Sequence, residues 1–311
     1  MINREMIRLK VVQLIYAYYQ NEGKAMDMAE KELMFSLSKA YDLYLYLLDL
    51  LVEMKKTGEK KEATVRARNR RTGVRMEGLT QDGRFAANLF LSQLEENKTL
   101  LDFREKQKAG SDAEDALVRK LYVAFVESEI FQLYITKEDF SYETDREVIR
   151  KLYKTYVVNN EDFDDLLEEQ SLYWNDDKHI VDSFVLKTIK RFDPANGNEQ
   201  ELLPDFAEEE DRLFAMTLFR QTLERADEVR ALIRDNCKNW EFGRLAFMDV
   251  IIMQTALAEI LTFPAIPVSV TFNEYLNMAK IYSTPRSASY INGLLDHVVK
   301  KLKEDNLLMK S

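Results

Sequence analysis

Apolar side chains recur over residues 3–20 at Ile7, Val11, Leu14, Ile15 and Tyr18, the three- and four-residue steps that line one helical face. Asn3 stands where a cap belongs, and Gly23 follows the end of the run. The same spacing predicts a longer helix over 27–54, through Leu33, Leu37, Tyr41, Tyr44, Leu48 and Leu51. The rhythm then breaks. Residues 55–84 hold four of the nine glycines (Gly58, Gly73, Gly78, Gly83) and the basic run Arg66, Arg68, Arg70, Arg71 and Arg75, and read as an exposed, partly flexible connector. Helical patterning resumes over 85–192, with breaks near Gly110, 136–140 and Asn175. A second connector, 193–210, carries Pro194, Gly197 and Pro204. Its acidic end (Glu208, Glu209, Glu210, then Asp211) suits the start of a helix, where negative charge meets the positive end of the dipole. Further helices are predicted over 211–236, 241–262, 268–282 and 286–303.

Composition strengthens the helical reading. All five prolines lie beyond residue 190, and a proline inside a helix costs about 3 kcal/mol. The expected class is all-α. The chain has 311 residues, long enough for a sizeable core in one or two domains. The single cysteine, Cys237, excludes an internal disulfide and fits a reducing compartment. The first residues alternate charged with apolar positions, unlike a signal peptide, and no run is long and apolar enough to span a membrane. The expected location is cytoplasmic. A weak repeat at an offset of 66 residues pairs Asp145-Arg146 with Asp211-Arg212, Leu152-Tyr153 with Leu218-Phe219, and Trp174 with Trp240. Duplication and chance matching of leucine-rich helices explain it equally well.

The net charge of −10 argues against a generic nucleic-acid binder, but the charge is uneven. Residues 55–84 carry ten basic and four acidic side chains, whereas 85–211 hold a net −16. Phosphate binding needs local positive charge, so any RNA contact is expected from the ends of the chain or from 55–84.

One ordered series of residues says more. It comprises Trp240, Arg244-Leu245, Glu259-Ile260-Leu261, Ile266-Pro267, Asn273-Glu274, Ala279-Lys280, Tyr282-Ser283, Ser287 and Tyr290-Ile291-Asn292-Gly293-Leu294-Leu295-Asp296. In order and spacing it resembles the C-terminal half of the NusB family of transcription antitermination factors. Arg4, Arg8, Gln13, Ile15 and Tyr16 are similar to that family's first helix. The resemblance implies a NusB-like helical bundle built from 1–54 and 206–311, with 55–84 as a basic connector and 85–205 as an acidic helical insertion.

The resemblance also implies a site. In the family the arginine-bearing first helix contacts RNA, which points to Arg4 and Arg8, one helical turn apart; pairing with surface acids is the competing role. Gln13 and Tyr16 fall on the RNA-facing edge, although Tyr16 suits the core equally well. Tyr282 and Tyr290 replace family phenylalanines near RNA and partner, where an aromatic ring can stack a base or pack beneath the turn. Lys280 and Arg286 flank them. Trp240, Asn273, Glu274, Ser287, Asn292 and Gly293 read as architecture, with Gly293 allowing close helix approach. Glu5, Gln254, Ser269 and Ser289 stand where the family often carries a basic residue, which thins the cationic surface.

No catalytic constellation, metal-ligand spacing or phosphate loop is found, and no cofactor is expected. The implied function is RNA binding in antitermination: single-stranded boxA-type ribosomal RNA leader is held together with the ribosomal protein NusE, in the transcription elongation complex, away from any membrane. The alternative is a helical protein-interaction scaffold of the same descent that has lost RNA binding.

Overall fold

The computed structural model describes residues 1–21, 25–107, 112–137, 140–158, 160–174, 176–237, 243, 245–284 and 286–308. In chain order the helices are α1 (Arg4–Gln20), α2 (Met26–Thr72), α3 (Gln81–Ala86), α4 (Leu89–Glu95) and α5 (Lys98–Lys106). They continue with α6 (Asp112–Glu127), α7 (Glu129–Ile135), α8 (Tyr142–Tyr156), α9 (Glu161–Gln170) and α10 (Lys178–Arg191). After a 3-10 turn (Pro194–Glu199) come α11 (Glu209–Glu224), α12 (Ala226–Asn236), α13 (Phe247–Thr262), α14 (Val268–Tyr282) and α15 (Ser287–Glu304). The protein is all-α; among the described residues the one β-type contact is an isolated parallel bridge between Ile2 and Phe206. No described helix is long and apolar enough to cross a membrane.

The chain forms two compact units. One comprises Ile2–Ser38 and Phe206–Ser311 and is organised around α13. Every residue of α13 from Asp249 to Ile260 is buried, as expected for a helix that is apolar nearly all round. α1, α11, α12, α14 and α15 pack about it. Asn3 caps α1 as the sequence predicts, its side chain accepting from the Met6 amide at 2.9 Å. Gly23 lies outside the described residues. The helix expected over 211–236 is two, meeting at Arg225.

The other unit comprises Met1 and Lys39–Asp205. From α3 to α10 its helices are shorter than their hydrophobic pattern suggests, for a local reason. Thr80, Asn88, Asn97, Ser128, Ser141 and Asn160 each turn a side-chain oxygen onto the amide three residues ahead, so each opens a new helix. Phe85, Tyr122, Phe125 and Phe131 form an aromatic core, with ring centroids 5.3–6.5 Å from that of Phe85. The halves of the sequence repeat fall on α8 and α11, where Leu152-Tyr153 and Leu218-Phe219 are all buried.

The stretch 55–84 differs from expectation. α2 does not end near residue 54 but runs on to Thr72, and the division between units falls at Lys39, inside the helix. Lys55 is buried and donates to Glu95 at 2.7 Å, and Glu62 pairs with Arg66 one turn on at 2.5 Å. Gly58 is a packing residue, since a Cβ there would meet the Asp82 carbonyl at 3.2 Å and the Tyr122 ring at 3.3 Å. Gly73 is the true stop. At φ +68 it closes a Schellman cap, with Val74 N donating to Asn69 O at 3.0 Å and its own N to Arg70 O at 3.4 Å.

Candidate nucleic-acid interface

The two arginines of α1 have separate fates. Arg8 is 3% exposed. Its Nε and Nη2 donate to Glu259 Oε2 and Oε1 at 2.8 and 3.0 Å, the fork-to-carboxylate geometry that makes the strongest ion pairs. Glu259 also accepts from Thr271 Oγ1 at 2.7 Å and from the Tyr275 hydroxyl at 3.1 Å. Burial alone would lower the Arg8 pKa, but the Glu259 hydrogen bond and charge outweigh it and the pKa is raised. Arg8 is thus a core ion pair with no guanidinium edge for a phosphate, which corrects its expected RNA contact. Arg4 stays 43% exposed, its Nε donating to Asp211 at 3.2 Å and its guanidinium lying 5.0 Å from the Phe214 ring centre.

Contacts along α13 order the rest of this unit. Arg8, Thr271 and Tyr275 meet Glu259, near the end of α13. Tyr16 packs on Phe247 at its start (5.3 Å between ring centres), and Ser287 meets Asp249. Asp249 and Glu259 are about 15 Å apart along the axis at the helical rise. The four cations that the resemblance assigns to the RNA site therefore do not lie together. Arg4 lies at the Glu259 end with Arg8 buried beside it, whereas Lys280 and Arg286 flank the α14–α15 turn at the Asp249 end.

That turn is firmly held. Ser287 Oγ donates to Asp249 Oδ2 at 2.8 Å, Ser283 donates to the other carboxylate oxygen, and Thr284 bonds Ser287 at 2.8 Å. Lys280 is exposed, bonding Asn277 of its own helix at 3.1 Å, and Arg286 is exposed. Tyr282 and Tyr290 are half-buried. The Tyr290 hydroxyl donates to Cys237 Sγ at 3.5 Å, and burial together with that contact raises the phenol above its usual range. Along the chain, exposed positive charge and partly exposed rings thus alternate at a hydrogen-bonded turn, the combination that suits single-stranded nucleic acid.

At the same end lie Tyr19 and Arg230, which the sequence reading missed. Arg230 is 4.2 Å from the Tyr19 ring centre, and its Nε donates to Gln254 Oε1 at 2.7 Å. Gln254 is fully buried and also donates to the Tyr19 hydroxyl at 3.1 Å. Read as the loss of a surface cation, Gln254 is instead a buried bracket that accepts from half-buried Arg230. Arg230 follows a plain helical spacing with nothing local to mark it. Gln13 is half-buried midway along α1.

The NusB family model matches residues 183–300. The transcription antitermination protein NusB of Salinibacter ruber is 32% identical over 133 residues, 41% of this chain and 83% of that protein. The chain belongs to the NusB family. The Helicobacter pylori NusB matches at 30% identity over 40% of this chain and 92% of its own length. The solved structure of T. maritima NusB is 27% identical over 38% of this chain and 82% of that one, with a TM-score of 0.29; family membership rests on the sequences.

The NusB-like motif residues divide in the structure. Ser287 is buried, donating to Asp249 and hydrogen-bonding Thr284. Glu274 is half-buried, 3.9 Å from Arg8; burial raises its pKa more than Arg8 lowers it. Asn273, Asn292 and Gly293 are exposed. A Cβ on Gly293 would meet nothing within 4 Å, and its φ is not positive, so neither close helix approach nor backbone strain calls for glycine there. Gly293 lies two turns on from Arg286, on the same face of α15. Trp240 and Arg244 lie outside the described residues.

Proposed function

We propose that this NusB-family antitermination factor binds single-stranded, boxA-type ribosomal RNA leader through the α14–α15 turn, in company with NusE in the elongation complex. Its action is binding, without chemistry. The observation that carries the reading is the turn itself: exposed Lys280 and Arg286 alternate along the chain with half-buried Tyr282 and Tyr290, next to Ser283 and Ser287, which hydrogen-bond Asp249. The two cations take successive phosphates, and the tyrosines offer faces to bases, each stack contributing roughly 1–3 kcal/mol. Tyr16, Tyr19 and Arg230 extend the surface, and Gln13 borders it. Arg4 acts apart from it.

The hydrogen bonds of Ser283, Thr284 and Ser287 around Asp249 lower the ordering cost left to binding. The missing Cβ of Gly293 leaves the outer face of α15 open to close approach beside Arg286. NusE comes to the proposal through family membership. The test is fluorescence titration of a boxA-like 12-nucleotide RNA, with NusE present, across a range of salt. Affinity that falls steeply with salt supports the reading. Absent binding, or affinity indifferent to salt, favours a protein scaffold instead.

A further inference from the structure

The last third of α2 is a second cationic surface, in the other compact unit. From residue 63 to 76 the chain carries five arginines and no acid. Among the described residues only Arg66 is tied down, donating to Glu62 at 2.5 Å and to the Gly78 carbonyl at 3.1 Å. Arg68, Arg70, Arg71 and Arg75 are exposed and pair with no carboxylate among the described residues. With roughly 3.6 residues per turn, Lys60, Thr64, Ala67, Arg68 and Arg71 share one face, and all five are exposed. At its inner end this face meets a 440 Å³ hollow whose rim includes Lys60, Lys61 and Arg119 as well as Glu53, Asp82 and Asp115. Charge is balanced there, so the uncompensated positive charge lies outward, toward Thr72.

This arrangement is costly to maintain. Arg66 and Arg70 are four residues apart, Arg68 and Arg71 three, and like charges at those spacings destabilise a helix. No core lies behind them, because Glu62 is the last buried residue of α2. The face has no large apolar side chain, whereas the centre of a protein–protein interface is apolar and poor in charge; the exposed Val74 and Leu79 belong to the returning loop. A polyanion relieves the repulsion, and guanidiniums match phosphate oxygens in paired bonds. We infer that the outer arm of α2 is a second RNA contact, taking the phosphate backbone of single-stranded RNA that flanks the sequence held at the α14–α15 turn. This inference rests on the RNA-binding reading above.

The test uses the full chain and three probes: the boxA-like 12-mer, the same RNA with ten uridines added at either end, and a poly-glutamate peptide. At low salt one extended RNA should bind about tenfold or more tightly than the 12-mer. The combined Arg68→Gln, Arg70→Gln, Arg71→Gln, Arg75→Gln variant, which keeps good helix formers, should lose that advantage and leave 12-mer affinity unchanged. In native protein, hydrogen exchange over 63–76 should slow with the extended RNA and not with the 12-mer. Three results overturn the inference: no advantage for either extension, an advantage that survives in the variant, or loss of poly-glutamate binding alone. Failure of the turn reads out separately, as 12-mer affinity that is absent or indifferent to Lys280 and Arg286.

Discussion

α1 and the outer arm of α2 are both arginine-bearing helices, yet they use their charge in opposite ways. In α1, Arg8 and Lys10 are buried, and Arg8 closes on Glu259, a residue 251 positions away. In the outer part of α2, Arg68, Arg70 and Arg71 are exposed, as is Arg75 just past its end, and no acid falls between residues 63 and 76. The difference does not reside in the arginines. It lies in whether another helix supplies a carboxylate at the right depth. A buried guanidinium without a partner is prohibitive, and one with a bidentate partner becomes a fixed part of the core. Basic residues in a helix therefore mark a binding surface only once their partners are known.

The largest test of this contrast is Arg8→Ala, which strands the Glu259 carboxylate. It should destabilise the unit by about 3–5 kcal/mol in denaturant unfolding, as loss of one partner of a buried pair does. Replacing Arg68, Arg70, Arg71 and Arg75, at and just past the outer end of α2, by glutamine should leave the unfolding midpoint nearly unchanged or slightly higher. A mild effect of Arg8→Ala would mean that Arg8 is not the core ion pair described. Next in size is the turn. Tyr282→Ala and Tyr290→Ala should each weaken RNA binding, by roughly 1–3 kcal/mol for a stacked base, and full affinity in both would remove stacking from the account.

Gly293→Ala separates fold from surface. With nothing within 4 Å of the new Cβ, the substitution should stabilise α15 by up to about 1 kcal/mol in thermal unfolding. A fall in melting temperature would show a steric demand that the structure lacks. The smallest effect concerns Glu274, whose pKa is raised chiefly by burial. Its charged form is therefore disfavoured in the folded state. That penalty applies at neutral pH and is relieved as pH falls through the folded pKa. Glu274→Gln should raise the melting temperature slightly at pH 7, with the gain gone at pH values below the ordinary carboxylate range. A gain that persists in acid would point to a cause other than ionisation.

Much of the helical framework was legible in the sequence because it follows from local pattern. α1 and α14 fall where the three- and four-residue spacing places them, and the Asn3 cap is visible as a residue type at a position. Caps such as Asn88, Asn97 and Ser128 were harder to see, because the apolar rhythm continues across them while the side-chain oxygen ends one helix and opens the next. The glycines of 55–84 misled for another reason. Gly58 serves a close contact with Asp82 and Tyr122, and contacts across the fold leave no local signal.

The candidate site follows the same division. Lys280 and Arg286 were recognisable beside Tyr282 and Tyr290, since all four lie within a few residues of one turn. The burial of Arg8, the bracket of Gln254 on Arg230, and the approach of Tyr19 depend on partners from distant segments. Spacing within one helix cannot reveal them.

The most direct measurement of the central claim is the slope of log affinity against log salt for the boxA-like 12-mer with NusE present, compared between native protein and the Lys280→Ala, Arg286→Ala double variant. Each phosphate contact on a single strand contributes about 0.7 to that slope, so the variant should bind more weakly with a slope shallower by roughly 1.4. An unchanged slope in a folded variant would contradict the account.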